Sequence, residues 1–407
     1  MKTALIHSDA YGRFDYGPSH PLRMERLGLT FALMEAFGLT TLPETRVLAP
    51  TPASDAVLRG FHTAEYLDAL RAASAGLEVP GSTRYGLGPG DNPVWPGCYE
   101  ASALACGGSI RAAELVAAGE VERAFAFAGG LHHAMPDRAS GFCYLNDAVL
   151  AILALRARGL RVCYIDIDAH HGDGVQYAFY ESAEVLTIST HERGDRLFPG
   201  TGFVEEIGEG PGRGYAVNIP LQPYTDDAVY LEAFDAAVPP LVRAFRPDIV
   251  VAQLGIDSHR TDPLTHLALS VDGFADAVGR ILRLAPRLLA LGGGGYDLSN
   301  VARAWTAAWA LMNDVALPNE LPGAFVTAAA RHLRGHTRLW DRPVPLPPDA
   351  VRAAREFAHR QVAELTRRVF PILGASSGAH DMIVMATRWS PPPEPPPGAP
   401  RSPRSGR

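Results

Sequence analysis

The chain has 407 residues, 47 % hydrophobic and 20 % charged, with a net charge of −7. This composition excludes a wholly disordered or fibrous chain and, lacking a basic surplus, a general nucleic-acid binder. No apolar run reaches the ~18 residues of a membrane span, and four cysteines with no Cys-x-x-Cys pair build neither a disulfide framework nor a zinc knuckle. The start, Met1 to His7, turns polar too soon for a signal peptide. A reducing, cytoplasmic setting without a membrane partner is therefore expected.

The first strand is expected at Thr3–His7, and the next at Ala124–Ala128. Leu145, Val149, Ile152 and Leu153 then repeat at helical spacing, with Gly159 as the C-terminal cap. Strands follow at Val162–Ile167, Val185–Ser189, Asp248–Leu254 and Leu288–Leu291. A second helical stripe takes Leu298, Val301, Ala302, Trp305, Trp309 and Met312. Several strand candidates are continuous apolar runs, which suits strands buried on both faces of a parallel sheet. Strand–helix alternation without an internal linker predicts one α/β domain over residues 1–370, a mainly parallel sheet flanked by helices. The remainder, 371–407, is an extension. Its end, Ser390 to Arg407, is rich in proline and is expected to be disordered from about residue 390.

The unusual polar residues follow these strands. Gly129-Gly130-Leu131-His132-His133 follows the second strand, and Asp166 to Asp173 closes the third with three aspartates and two histidines. Thr190-His191-Glu192, Gly255-Ile256-Asp257 and Gly292-Gly293-Gly294-Gly295-Tyr296 follow the others. In an open parallel sheet the strand C-termini share one edge, where ligands bind, so five clusters should converge on one site. Asp168 and His170, two apart on an extended segment, point the same way and could grip one ion, with Asp257 as the third ligand. Carboxylate and imidazole suit Zn²⁺, Fe²⁺ or Mn²⁺. His132 and His133, as loop neighbours, are expected to diverge and to serve different roles. Asp166 and Asp173 are plausible partners that would fix a tautomer. The Tyr296 hydroxyl could donate to a developing oxyanion beside the glycines. Phe142 and Phe198 could wall a narrow channel, and Cys143 reads as a small buried hydrophobe.

Taken together, GGLHHA, GFCYLND, DIDAHHGDG, FPGTG and GGGGY, in this order, resemble the zinc-dependent histone deacetylase superfamily over roughly residues 5 to 315. The stretch from Gly255 to Thr265 is similar to its bacterial acetoin-utilisation branch. The resemblance implies the arginase/deacetylase fold and Zn²⁺, or alternatively Fe²⁺, held by Asp168, His170 and Asp257. It implies His133 as general base and acid, paired with Asp173, and His132, paired with Asp166, in an electrostatic role. Tyr296 would donate to the carbonyl oxygen. Gly141, Phe142 and Phe198 would line an acyl-lysine tunnel, with Leu264 and Asp91 at its rim. Structural K⁺ is implied at backbone oxygens of Asp166, Asp168, His170 and Thr190 with the Ser189 hydroxyl, and a second K⁺ at Phe179, Ser182, Val185 and Tyr215. The expected activity is hydrolysis of acetyl-lysine in proteins, with acetyl-CoA synthetase a conceivable target. A small-molecule deacetylase, such as one acting on acetylpolyamines, is the alternative, which Leu264 in place of a rim glutamate disfavours. An arginase-type ureohydrolase would need further aspartate pairs, and retention of every catalytic residue type argues against a non-catalytic binding module. The oligomeric state is not legible.

Overall fold

The computed structural model describes residues 2–376, so the proline-rich end lies outside the described residues. Eight strands form one sheet: β1 (Thr3–Ile6), β2 (Thr45–Leu48), β3 (Arg123–Ala126), β4 (Val162–Asp166), β5 (Val185–Glu192), β6 (Ala216–Leu221), β7 (Ile249–Gln253) and β8 (Leu288–Leu291). Their spatial order is β2-β1-β3-β8-β7-β4-β5-β6, and every pairing is parallel. The continuous apolar runs are buried along their whole length in β1, β4, β7 and β8, because helices cover both faces.

The helices used below are α1 (Glu25–Ala36), α2 (Cys98–Ala117), α3 (Asp147–Arg156), α4 (Asp173–Phe179), α5 (Asp227–Phe245), α6 (Val271–Leu284), α7 (Leu298–Met312) and α8 (Pro348–Arg368). Side-chain caps start several of them where the sequence changes from loop to helix. Asn146 accepts from the Val149 amide to begin α3, and Asp297 accepts from Ser299 to begin α7 directly after Tyr296. Gly159, with φ of +77°, sits just past α3, and the Leu160 amide returns to the Leu155 carbonyl. That is the left-handed closure the glycine predicts.

The sequence reading differs from the structure at the sheet edges. β2 and β6 were not anticipated. β2 is short and half exposed, and β6 carries Asn218 and Pro220, a proline tolerated on an edge strand. Strand β5 also runs on to Glu192, because β6 pairs with it as far as that residue. Thr190, His191 and Glu192 are therefore part of the strand and not a loop after it. The buried core extends to Val369 and Phe370, with Leu373 packed against it.

Five adjacent strands at the centre, β3, β8, β7, β4 and β5, are the five that the polar clusters follow or close. Register aligns them. One rung crosses the sheet through Ala126, Leu291, Gln253, Asp166, Ser189 and Asn218. The chemistry begins at that rung or just beyond it.

Candidate metal centre and active site

Asp168 and His170 leave β4 through a bend rather than an extended segment. The Asp168 carboxylate accepts from the His170 amide at 3.0 Å and lies 3.2 Å from its Nδ1. Asp257, just past β7, lies 2.9 Å from the same Nδ1 and accepts from the Ala169 amide at 2.7 Å. One ligand atom from each of the three lies within 4.8 Å of the others, and all three residues are buried. Burial alone would lower the proton affinity of His170, but the carboxylates of Asp257 and Asp168 outweigh it and raise the pKa well above normal. Burial and the Asp168 charge push Asp257 up to about 6, against the pull of His170. Two carboxylates and one imidazole in a desolvated cradle form a donor set that fits a divalent cation. Gly294 makes the cradle possible: a Cβ there would lie 2.0 Å from an Asp257 oxygen.

His132 and His133 do not diverge as expected. Their Nε2 atoms are 3.0 Å apart, while each Nδ1 faces its own carboxylate, Asp166 at 2.8 Å and Asp173 at 2.7 Å. Each Nδ1–H donates to its aspartate, so the two Nε2 atoms share one proton. Burial opposes charge on both rings. At His132 the carboxylates of Asp166 and Asp168 prevail and raise the pKa to about 9. At His133 burial and the neighbouring His132 charge lower it to about 4. Burial works to raise Asp173, but His133 and His171 hold it below the usual carboxylate range. The result is a cation–neutral pair at neutral pH.

Tyr296 closes the other side. Its ring meets Phe142 edge-on at 5.7 Å and His170 at 6.5 Å. Burial pushes its phenol well above the ordinary value, and the charges of Asp257 and Asp168 add to this, so it stays a neutral donor. Phe198 stands edge-on to His133 at 5.0 Å and is 42 % exposed, so it reaches the surface. Gly141 lies between them with φ of +51°, and a Cβ there would lie 2.5 Å from the His133 ring and 2.8 Å from Phe198. Cys143 is buried and donates to the Gly141 carbonyl at 3.3 Å; burial raises its thiol pKa far out of the nucleophilic range.

The rim residues are tied in by the backbone. Asp91 is exposed, and its carbonyl meets His20 Nε2 at 3.2 Å; His20 packs edge-on to Phe142 at 4.5 Å. The amides of Leu264 and Tyr296 both donate to Asp262, at 3.0 and 2.9 Å. Of the residues assigned to potassium, Asp166 and Ser189 are register partners, and the Ser189 hydroxyl meets His191 Nδ1 at 2.8 Å. The Thr190 hydroxyl is buried, with the Tyr230 phenol beside it. Phe179 ends α4 and accepts from the Ser182 amide at 3.0 Å; Val185 opens β5; the Tyr215 carbonyl accepts from Thr187 at 2.9 Å.

Three further residues escaped sequence reasoning. Gln253 donates to Asp168 at 2.8 Å and to the Gly130 carbonyl at 3.1 Å, joining the metal cradle to the histidine loop. A polar residue ending an otherwise apolar strand was its visible signal. Arg26 is buried beneath the glycine run and donates to the carbonyl of Gly293 at 2.7 Å. Nothing in its α1 sequence sets it apart from a surface arginine. Asp262, described above, lay within the stretch from Gly255 to Thr265 with no role of its own.

A comparison with protein families matches residues 20–312 to the histone deacetylase domain. Acetoin utilization protein AcuC of Bacillus subtilis is 39 % identical over 336 residues, 80 % of this chain and 85 % of that protein. Histone deacetylase RPD3 of Saccharomyces cerevisiae is 40 % identical over 324 residues, 79 % of this chain and 74 % of that one. Among solved structures, an HDAC homolog from Aquifex aeolicus superposes with a TM-score of 0.80 at 32 % identity, over 89 % of this chain and 100 % of its own.

Proposed function

Because this chain belongs to the histone deacetylase family, and is thus a deacetylase by kinship, we propose that it removes acetyl groups from lysine ε-amines in proteins by metal-assisted hydrolysis. The observation that carries the reading is the convergence of a buried Asp-His-Asp cradle, two aspartate-backed histidines and a neutral tyrosine, with Phe142 edge-on to that tyrosine and Phe198 edge-on to His133.

Asp168, His170 and Asp257 would hold Zn²⁺, or Fe²⁺, which when bound polarises an acyl carbonyl and acidifies water. The remaining steps belong to the chain. His133, oriented by Asp173, releases the hydrogen bond its Nε2 accepts from His132, takes the proton of the attacking water at that atom and returns it to the leaving amine. His132, held cationic by Asp166, keeps positive charge beside the developing oxyanion. The Tyr296 hydroxyl donates to that oxyanion. Gly141, lacking a side chain, lets His133 and Phe198 pack directly on its backbone; Phe142 and Phe198 wall the passage for the acyl-lysine stem, and Asp91 and Leu264 stand at its rim. We assign potassium to Asp166, Asp168, His170, Ser189 and Thr190, and a second ion to Phe179, Ser182, Val185 and Tyr215. Pairing of Asp166 with Ser189 in the sheet supports the first assignment. Residues 1–370 are taken as the catalytic unit, acting in the cytoplasm, with acetyl-CoA synthetase as one protein substrate to try.

The test is turnover of an acetyl-lysine peptide after chelation and readdition of Zn²⁺ or Fe²⁺, with acetylputrescine in parallel. Restored peptide hydrolysis is expected. Turnover of acetylputrescine alone would replace the protein substrate with a small molecule, and hydrolysis of neither would overturn the reading.

A further inference from the structure

Beside the site lies a buried polar cluster that the chemistry above does not use, and its centre, Asp341, falls outside the segment matched to the family, residues 20–312. We propose that Asp341 is a positioning residue that locks two arms of the active site together, the one carrying Asp257 and the one carrying Tyr296. The proposal rests on the roles given to those two residues above.

The Asp341 side chain is 2 % exposed. Its Oδ2 accepts from the Val271 amide and from His259 Nε2, both at 2.8 Å, and its Oδ1 accepts from the buried Arg303 at 2.9 Å. The first contact with His259 fixes a tautomer. With the proton on Nε2, His259 Nδ1 must accept, and the groups around it are donors: the Thr261 amide at 3.2 Å and the Asn300 amide nitrogen at 2.7 Å.

From there the two arms diverge. His259 lies two residues after Asp257, and its own amide returns to the Ile256 carbonyl at 3.1 Å, so its place sets the turn that presents Asp257. Thr261, on the same turn, donates its hydroxyl to Asp297 at 3.0 Å, and Asp297 directly follows Tyr296 and caps α7. Asn300 and Arg303 are on α7 itself, and Arg303 holds the Asn300 oxygen at 2.6 Å. One carboxylate thus orients an imidazole on the first arm and an arginine on the helix that anchors the second. Outer groups of this kind are worth roughly 10–100-fold in metal affinity or activity.

The test uses the full chain with the substitutions Asp341→Asn and Thr261→Val, read by steady-state kinetics on an acetyl-lysine peptide and by competition for Zn²⁺ with a chromophoric chelator. D341N is expected to lower kcat at saturating Zn²⁺ roughly tenfold or more, with KM within about twofold, and to weaken Zn²⁺ binding roughly tenfold. T261V, nearly isosteric, should lower kcat several-fold while Zn²⁺ affinity stays unchanged, since it removes the hydroxyl's bonds to Asp297 and Asn300 on the Tyr296 side and leaves the Thr261 amide donating to His259 Nδ1. Folded D341N with kcat and Zn²⁺ affinity both within about twofold of the parent would overturn the proposal. So would a fall in kcat merely proportional to the folded fraction. If D341N does not fold, an unchanged kcat in T261V overturns it. If the parent chain hydrolyses no peptide, the functional reading fails instead, and the Zn²⁺ affinity of D341N still decides this one.

Discussion

Tyr296 carries a phenol that burial keeps protonated across the physiological range, so it can donate but does not ionise. Tyr296→Phe removes that donor and little else. It should lower kcat about 100-fold, the size of one oxyanion-hole donor, and a measured loss under about threefold would remove Tyr296 from that role. His62 gives a second prediction at this scale. It is buried, with Nδ1 on the Met135 carbonyl at 3.1 Å and Nε2 accepting from the Asn146 amide at 3.0 Å. A second ring proton would meet an N–H head-on, and burial accordingly lowers its pKa to about 4. The unfolded chain, near 6.5, binds the proton first as pH falls, so His62 costs stability progressively between pH 6.5 and 4 and not above. By pH 5 the loss is about 2 kcal/mol. Urea unfolding at pH 7 and pH 5 should show that His62→Gln flattens the difference by about this amount. The metal-type and acid–base residues were legible because carboxylates and imidazoles crowded behind apolar strands are costly to desolvate unless they bind an ion or one another. Arg26 and Asp262 were not, since their burial is decided by distant segments.

Gln253 belongs to an element before it belongs to the site. As the last residue of β7 it sits in the rung between Asp166 and Leu291, and strand register alone delivers its amide to Asp168. Gln253→Leu keeps the volume and the strand but removes both donors. A roughly 10–100-fold weaker grip on Zn²⁺ is expected, read by titration against a metal indicator. Unchanged binding would make Gln253 a packing residue only. The central strands could be found from sequence because helices cover both their faces and the apolar signal is unbroken. β2 and β6 lie at the edges, where half-exposed threonine and arginine, or an asparagine and a proline, erase that signal. The expected divergence of His132 and His133 failed for a similar reason. Chain neighbours diverge by default, but Asp166 and Asp173 pull the two Nδ1 atoms apart and leave the Nε2 edges facing each other.

At the scale of the whole molecule, five stretches far apart in the chain are brought together by one sheet, and their buried charges are paid for by folding. Two desolvated carboxylates beside Asp262, itself pushed up by burial and by Asp257, make the cradle a place where a bound cation stabilises the native state. A cation present at a thousandfold its dissociation constant contributes about 4 kcal/mol. Stripping divalent ions should therefore lower the melting midpoint by roughly 5 °C, and Zn²⁺ should restore it. A midpoint indifferent to chelation and to Zn²⁺ would mean that the cradle does not bind the ion. The all-parallel arrangement has one more consequence. Every group given a catalytic or metal-cradle role sits at the same end of the strands, so among the described residues the opposite end, where turns such as the exposed one at Ala157–Gly159 join helix to strand, carries none of the acid–base chemistry and holds only the second potassium assignment around Val185. That floor is where the molecule can take a graft, such as an affinity handle, a fluorophore or a tether to a surface, while the catalytic end is left untouched.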